Sequence, residues 1–350
     1  MKTIVLPVNP ENIARAAEVI RQGGLVGMPT ETVYGLAADA TNPQAVEAIF
    51  AAKGRPQDNP LIVHIADFDQ VERYTRDISP DAWRLMRAYW PGPMTVILRK
   101  REIIPQVVSC GLDTIGLRMP GSTDARAFIQ ACGTAIAAPS ANLSGRPSTT
   151  TAQHVLEDLE GRIPLILDGG PCQVGVESTV IDLSGSVPTL LRPGGITLEQ
   201  LRAVLPQVVV DKCIYSTVTG DQKVKSPGMK YRHYAPKAPV TILVGTEQAV
   251  EQAMLTQARQ AAAQGETLGI LCYNESMPRF EGMDRVVALP LGSRGSKEEM
   301  AHQLFDSLRA FDSQPVSRIL ACCPDNQGLG LAVVNRLSKA AGFHIVNVQE

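Results

Sequence analysis

The sequence predicts an α/β chain in two parts, a twisted mixed sheet followed by a smaller open α/β domain. Three observations carry that prediction. Apolar runs of strand length recur through residues 1–212 with only some helical patterns between them, which suits a mixed sheet better than strict βαβ alternation. Between 213 and 239 the pattern dissolves, and Lys223, Lys225, Lys230, Arg232 and Lys237 gather among Pro, Gly and Tyr, the composition of a linker. Regular alternation of strand and helix resumes from 240 to 350.

Taken in order, Asn9-Pro10 opens a helix with Ile13, Ala17 and Ile20 on one face, and Gly23-Gly24 closes it before a strand at 25–28. Asn42-Pro43 opens a second helix whose apolar face is Val46, Ile49 and Phe50, ending at Gly54. Strands follow at 61–66, 94–99, 114–119, 134–138, 164–168, 177–183 and 188–192, with helices near 80–89, 123–132, 151–159 and 197–205. Beyond the linker the pattern gives strands at 240–245, 268–272, 285–289, 317–322 and 344–348, and helices at 247–264, 297–312 and 331–341. This second domain has neither GxGxxG after its first strand nor GxxxxGK[ST], so no dinucleotide or P-loop site is expected there.

Composition narrows the function classes. A length of 350 residues, 44% of them hydrophobic and 19% charged, describes a globular chain able to bury two cores. The formal net charge of -2 argues against a constitutive polyanion binder and leaves room only for a local basic groove. Seven cysteines without a CxxC pair suit reduced thiols, and no zinc site or other metal held by the protein is expected. The first residues lack the apolar core of a signal peptide and no run reaches the length of a membrane span, so the expected place is the cytoplasm, with no membrane partner.

Chemistry concentrates in polar interruptions of apolar strands. Lys53-Gly54-Arg55-Pro56-Gln57-Asp58-Asn59-Pro60 and, later, Ser140-Ala141-Asn142 set two cations and two small polar groups around a phosphate-sized charge, a nucleotide site without a Walker loop. A lysine in the last turn of a helix is already favoured by the helix dipole. Arg55 lies past the helix end, where no capping rule asks for a rigid guanidinium. Pro29-Thr30-Glu31-Thr32 places hydroxyls and a carboxylate after a strand, where open α/β sheets bind ligands. His64 interrupts Leu61-Ile62-Val63-His64-Ile65, and Arg118 interrupts Ile115-Gly116-Leu117-Arg118-Met119; Glu177-Ser178 and Leu191-Arg192 repeat the pattern at later strand ends. An arginine in such a run calls for a carboxylate or phosphate partner.

Six blocks in this order, PTETVYGL at 29–36, KGRPQDNPL at 53–61, WPGPMTVIL at 90–98, IGLRMPG at 115–121, APSANLSGRPS at 138–148 and ESTVID at 177–182, resemble the L-threonylcarbamoyladenylate synthases, YrdC-like enzymes of tRNA modification. SPGMKYRHYAP at 226–236 is similar to the linker of that family's long, two-domain form, with its carboxyl-terminal domain. The resemblance implies a YrdC-like catalytic domain at 1–212 with a concave active site on its mixed sheet, a linker at 213–239 acting as a flap over that site, and a Rossmann-like domain at 240–350. It implies condensation of L-threonine, bicarbonate or CO2, and ATP into threonylcarbamoyl-AMP with release of pyrophosphate. Mg2+ is expected to bridge the phosphates with few protein ligands. Hand-over of the product to a tRNA threonylcarbamoyltransferase complex is expected, with at most weak contact to RNA.

Because the nucleophile is the substrate's own carbamate, no Ser-His-Asp, HExxH or reactive CxxC set is required. Lys53 and Arg55 are the expected charge clamps on the transferring phosphoryl group, and Ser140 and Asn142 its hydrogen-bond donors. By similarity, Thr32, His64, Arg118, Ala138 and Ser178 form the threonine pocket. Arg55, Asn59, Thr114, Ser140, Ser148, Arg192 and a linker tyrosine, Tyr234 ahead of Tyr231, form the ATP side. Two other readings compete: a carbamoyl-adenylate-forming carbamoyltransferase of the hydrogenase-maturation type, whose paired-cysteine zinc modules are missing here, and an RNA-binding module using the concave face, whose mark is steeply salt-dependent affinity.

Overall fold

In the computed structural model, residues 2–216, 225–226 and 233–349 are described. They divide into two compact units, one of residues 1–144 and 148–231 and one of residues 145–147 and 232–350.

The first unit is built on a mixed sheet. Its strands in chain order are β1 (Ile4–Pro7), β2 (Val26–Met28), β3 (Gly35–Asp39), β4 (Ile62–His64), β5 (Thr75–Arg76), β6 (Met94–Lys100), β7 (Thr114–Arg118), β8 (Ile136–Ala137), β9 (Leu165–Asp168), β10 (Thr179–Asp182), β11 (Thr189–Arg192) and β12 (Val209–Val210). Across the sheet the order is β1-β9-β2-β3-β8-β4-β7-β6-β10-β11-β12, with β5 beside β6. Parallel pairs such as β4 with β7 and β6 with β10 alternate with antiparallel ones such as β3 with β8 and β6 with β7. β2, β4, β8 and β10 are buried over their whole length and β3, β6, β7, β9 and β11 at all but one residue, which explains why most of these read as continuous apolar runs.

One core lies between this sheet and two helices, Pro10–Arg21 and Thr123–Cys132. Ala16, Ala17 and Ile20 from the first and Phe128 and Ile129 from the second pack on Val26, Met28, Leu165 and Leu167 of the strands. Small alanines on the first helix let it lie close to the sheet. The helix Pro43–Lys53 starts as its sequence dictates, with Asn42 Oδ1 accepting from the amides of Gln44 and Ala45 and with proline at the first helical position. It stops because Gly54 turns left-handed at φ 62, and that turn delivers Arg55 into the next loop. Of residues 213–226, Ile214 and Ser226 are buried in this unit and Lys225 pairs with Asp182 at 2.8 Å.

The second unit carries five parallel strands, β13 (Val240–Val244), β14 (Leu268–Tyr273), β15 (Val286–Gly292), β16 (Arg318–Ala321) and β17 (Ile345–Asn347), in the order β15-β14-β16-β13-β17. The helices Glu247–Ala263, Lys297–Ala310 and Gly330–Ala340 cross between them, the arrangement of an open, Rossmann-like sheet. All seven cysteines carry free thiols. No helix among the described residues is long and apolar enough to cross a membrane.

Candidate active site

Strand register sorts the site residues into two groups. His64 closes β4 and Arg118 closes β7; the two are direct partners across that parallel pair. Thr114 opens β7, so four residue steps of strand, about 13 Å at about 3.3 Å each, separate it from Arg118. Asn59 precedes β4 and therefore lies toward Thr114. On the antiparallel β8, the amide of Ala138 donates to the Ile62 carbonyl, and Ser140 bridges to Gly35. The chain beyond β8 thus travels from the Arg118 level toward the Thr114 level.

At that second level Lys53 is the organising group. It is 3% exposed, and its Nζ donates to the carbonyls of Ser140 and Asn142, both at 2.5 Å. Burial, then the neighbouring Arg55 charge, pull its pKa well below that of a free lysine, with Asp158 opposing them. Within the loop Ser140 Oγ donates to Asn142 Oδ1 at 2.5 Å, and the Ser144 amide returns to the Lys53 carbonyl. Arg55 Nη2 donates to the Asn59 carbonyl at 3.0 Å, and buried Asn59 Oδ1 has no hydrogen-bond partner among the described residues. Expected as a direct charge clamp, Lys53 spends two of its three protons on fixing the Ser140–Asn142 loop.

At the first level the buried Arg118 already owns a counter-charge. Its Nη2 donates to Glu31 Oε1 at 2.7 Å and to Thr32 Oγ1 at 2.9 Å, and Nε reaches toward the Gly92 carbonyl at 3.4 Å. Nη1 has no partner among the described residues. Burial pushes the Glu31 carboxyl up, but the Arg118 charge and hydrogen bonds to the carboxylate outweigh it and hold the group below the usual range. Beside them His64 is 3% exposed; burial and the Arg118 charge depress its pKa to about 3, so the ring is neutral. Its Nδ1 is buried without a partner among the described residues.

A third cluster adjoins this level through β6, β10 and β11. Ser178 Oγ shares a 2.8 Å hydrogen bond with Thr95 Oγ1, while Arg192 Nη2 donates to Ser178 Oγ and its Nε to the Ser178 carbonyl, both at 3.1 Å. Gly194 makes this approach possible: a Cβ there would stand 2.3 Å from the Glu177 carbonyl oxygen and 2.4 Å from the Thr179 nitrogen. Ser148 Oγ donates to Glu177 Oε1 at 2.6 Å.

The structure therefore brings Lys53, Arg55, Asn59, Thr114, Ser140 and Asn142 toward one level, and Thr32, His64, Arg118, Ser178 and Arg192 toward the other, with Ala138 between. Arg192 and Ser148, expected on the ATP side, group with Ser178 and its neighbour Glu177. Tyr234 belongs to the second unit, where its ring lies 5.2 Å from that of Phe305 and under the Arg336 guanidinium. Tyr231 lies outside the described residues. The site assignment left out Glu31, Thr95 and Glu177, although the Thr30-Glu31-Thr32 turn and the Glu177-Ser178 strand end stand out in the sequence as polar interruptions; nothing in the sequence signals Thr95. Among the described residues no three His, Cys, Asp or Glu side chains gather as a metal cage.

Comparison with known proteins adds an independent line. Residues 18–194 match the Sua5/YciO/YrdC family, described as Telomere recombination, and residues 196–342 match the family described as Threonylcarbamoyl-AMP synthase, C-terminal domain. The threonylcarbamoyl-AMP synthase of Bacillus subtilis is 46% identical over 97% of this chain and 96% of its own length. That of Pyrococcus abyssi is 44% identical over 95% of each. The solved structure of P. abyssi Sua5 complexed with L-threonine is similar with a TM-score of 0.93 at 44% identity, across 99% of this chain and all of that one. Relatives that run through both units favour the synthase reading over the carbamoyltransferase and the RNA-binding module.

Proposed function

The chain belongs to the threonylcarbamoyl-AMP synthase family, and from that premise we propose that it joins L-threonine, bicarbonate and ATP into threonylcarbamoyl-AMP, releasing pyrophosphate. The observation that carries this reading is the buried Arg118 with Nη1 still open beside the unpartnered Nδ1 of His64. A buried cationic donor and a neutral ring nitrogen, both unspent among the described residues, suit a ligand with a carboxylate and a polar side chain. Glu31 already neutralises Arg118, so a substrate carboxylate would share the guanidinium rather than rescue an orphaned charge.

The chemistry follows in two steps. The threonine amine combines with bicarbonate to give N-carboxythreonine and water. A carbamate oxygen then attacks the α-phosphorus of ATP, the bond from that phosphorus to the bridging oxygen breaks, and pyrophosphate leaves. The chain supplies position and charge rather than a nucleophile. Arg118, with Thr32, His64, Ala138 and Ser178, holds threonine. Arg55, Asn59 and Thr114 hold the nucleoside end of ATP, the open Asn59 Oδ1 offering an acceptor to a ligand N–H.

Ser148 groups with Glu177 and Arg192 with Ser178 beside the threonine level, so the carbamate meets the α-phosphate on that side of the site. Lys53 is a positioning residue in this scheme: it fixes the loop from which Ser140 and Asn142 address the phosphates. Magnesium would enter as the counter-ion of ATP, bound mainly through the phosphates with few protein ligands. The product is handed to a tRNA threonylcarbamoyltransferase in the cytoplasm. Incubation of the purified chain with ATP, L-threonine and isotope-labelled bicarbonate tests the proposal. A labelled threonylcarbamoyl-AMP by mass spectrometry supports it; unlabelled or absent adenylate overturns it.

A further inference from the structure

The second unit contains a cavity of about 240 Å³ at the carboxyl ends of β13, β14 and β16. Topology makes this place significant. From β14 the chain leaves toward β15 at one edge, and from the adjacent β16 it leaves toward β17 at the other edge. Neighbouring strands whose connections part in this way open a crevice between them, and open α/β sheets bind ligands in such crevices.

The wall carries charges of both signs on three separate segments. Arg294 lies over the Tyr273 ring, 5.6 Å from its centre, and its Nη2 donates to Glu251 Oε1 at 2.7 Å and to Ser276 Oγ at 2.8 Å. Its Nη1 pairs with Glu247, and its Nε is buried with no partner among the described residues. Lys297 pairs with Asp325 across the mouth. Glu247 and Asp325 are 54% and 62% exposed, and ion pairs so well hydrated contribute little, so exchanging either for a ligand group costs little. Cys272 and Cys323 also line the cavity, where burial lifts both thiols to about 12; they serve as weakly polar floor rather than as thiolates.

Charge and size select the ligand class. Three carboxylates, Glu247, Glu251 and Asp325, face two cations, Arg294 and Lys297, and Arg279 pairs with Glu251 from outside the lining, so the charges balance and no excess of positive charge draws a multiply charged phosphate. The turn after β13 reads Gly245-Thr246-Glu247 and lacks the glycine-rich cradle of a dinucleotide site. The volume falls short of the ~300–1,000 Å³ of sites for drug-sized ligands. We propose that this cavity binds a small zwitterion of the free amino-acid class, its carboxylate on Arg294 and Lys297 and its ammonium on Asp325 and Glu247.

The test is isothermal calorimetry on the full chain with each free L-amino acid in turn, and with AMP and inorganic phosphate as contrasting probes. The proposal expects one amino acid to bind at a site that Arg118→Lys leaves intact and that Arg294→Met weakens by roughly tenfold or more, as loss of a charge-assisted hydrogen bond requires. Lys297→Ala, at the hydrated mouth, is the second variant and must weaken the same event should Arg294→Met fail to fold. Pyrophosphate release stays within the wild-type range in Lys297→Ala without the amino acid. Absence, at millimolar concentration, of any amino-acid binding that survives Arg118→Lys overturns the proposal, as does binding of AMP or phosphate in the cavity instead. A chain that binds the amino acid yet makes no adenylate keeps this inference and sinks only the proposed activity.

Discussion

Replacing Arg118 by lysine isolates the part of the site that reads threonine. The substitution keeps a positive charge beside Glu31, so the buried carboxylate is not orphaned and the fold is retained. It removes the planar fork, and with it the open Nη1 that the proposal assigns to the substrate carboxylate. A hydrogen bond to a charged group is worth ~1.5–3 kcal/mol, and each ~1.4 kcal/mol is tenfold, so threonine affinity falls by about 10- to 150-fold. ATP, held by residues at the other end of β7, loses less than about threefold. Calorimetry with each substrate separately, plus a urea melt to confirm stability, measures both. Equal losses for threonine and ATP, or an unchanged threonine affinity in a folded variant, refute the assignment of Arg118.

Three further outcomes follow from the same geometry. Glu31→Gln leaves the Arg118 charge buried without compensation and lowers stability at pH 7 by ~3 kcal/mol in urea melts; because the folded Glu31 carboxyl lies below its ordinary 4.5, the wild type loses this advantage as pH falls from 4.5 through the folded value, and the two curves converge there. His64, depressed from 6.5 to about 3, takes a proton in the unfolded chain first, so acid destabilises the fold through that window, and His64→Gln flattens this part of the stability profile while kcat/KM for threonine shows no limb belonging to His64. For Lys53, whose pKa burial holds down, the polyphosphate of ATP draws a proton back, so ATP binding at alkaline pH takes up protons, measured as a buffer-dependent calorimetric enthalpy that Lys53→Met abolishes.

The sequence showed most of what positions the site and less of what balances it. The Asn42-Pro43 start and Gly54 stop of the second helix were readable because capping is local chemistry, and they put Lys53 in its last turn and Arg55 just past its end. The five strands and three α-helices of the second unit were likewise legible from alternating pattern, whereas the 3-10 turn Asn274–Arg279 was not. By contrast β1 and β3 escaped notice: Ile4–Pro7 is an edge strand with little burial, and Gly35–Asp39 is small-residue sequence whose strand state comes from pairing with β2 and β8. Glu31 escaped the site assignment for the same kind of reason. Its partner Arg118 lies eighty-seven residues away, and nothing local announces that a turn carboxylate will be buried against it. The pairing of Arg192 with Ser178 depends on the β10–β11 register and on the bare backbone at Gly194, neither of which spacing encodes.

Pyrophosphate release, followed while L-threonine, bicarbonate and ATP are left out one at a time, addresses the central claim most directly. If the carbamate of threonine is the nucleophile that displaces pyrophosphate, each omission abolishes release, and restoring the missing component recovers it. Release that continues undiminished without threonine would mean that another nucleophile reaches the α-phosphate, and the account of this site as a threonine-dependent adenylate synthase would be wrong.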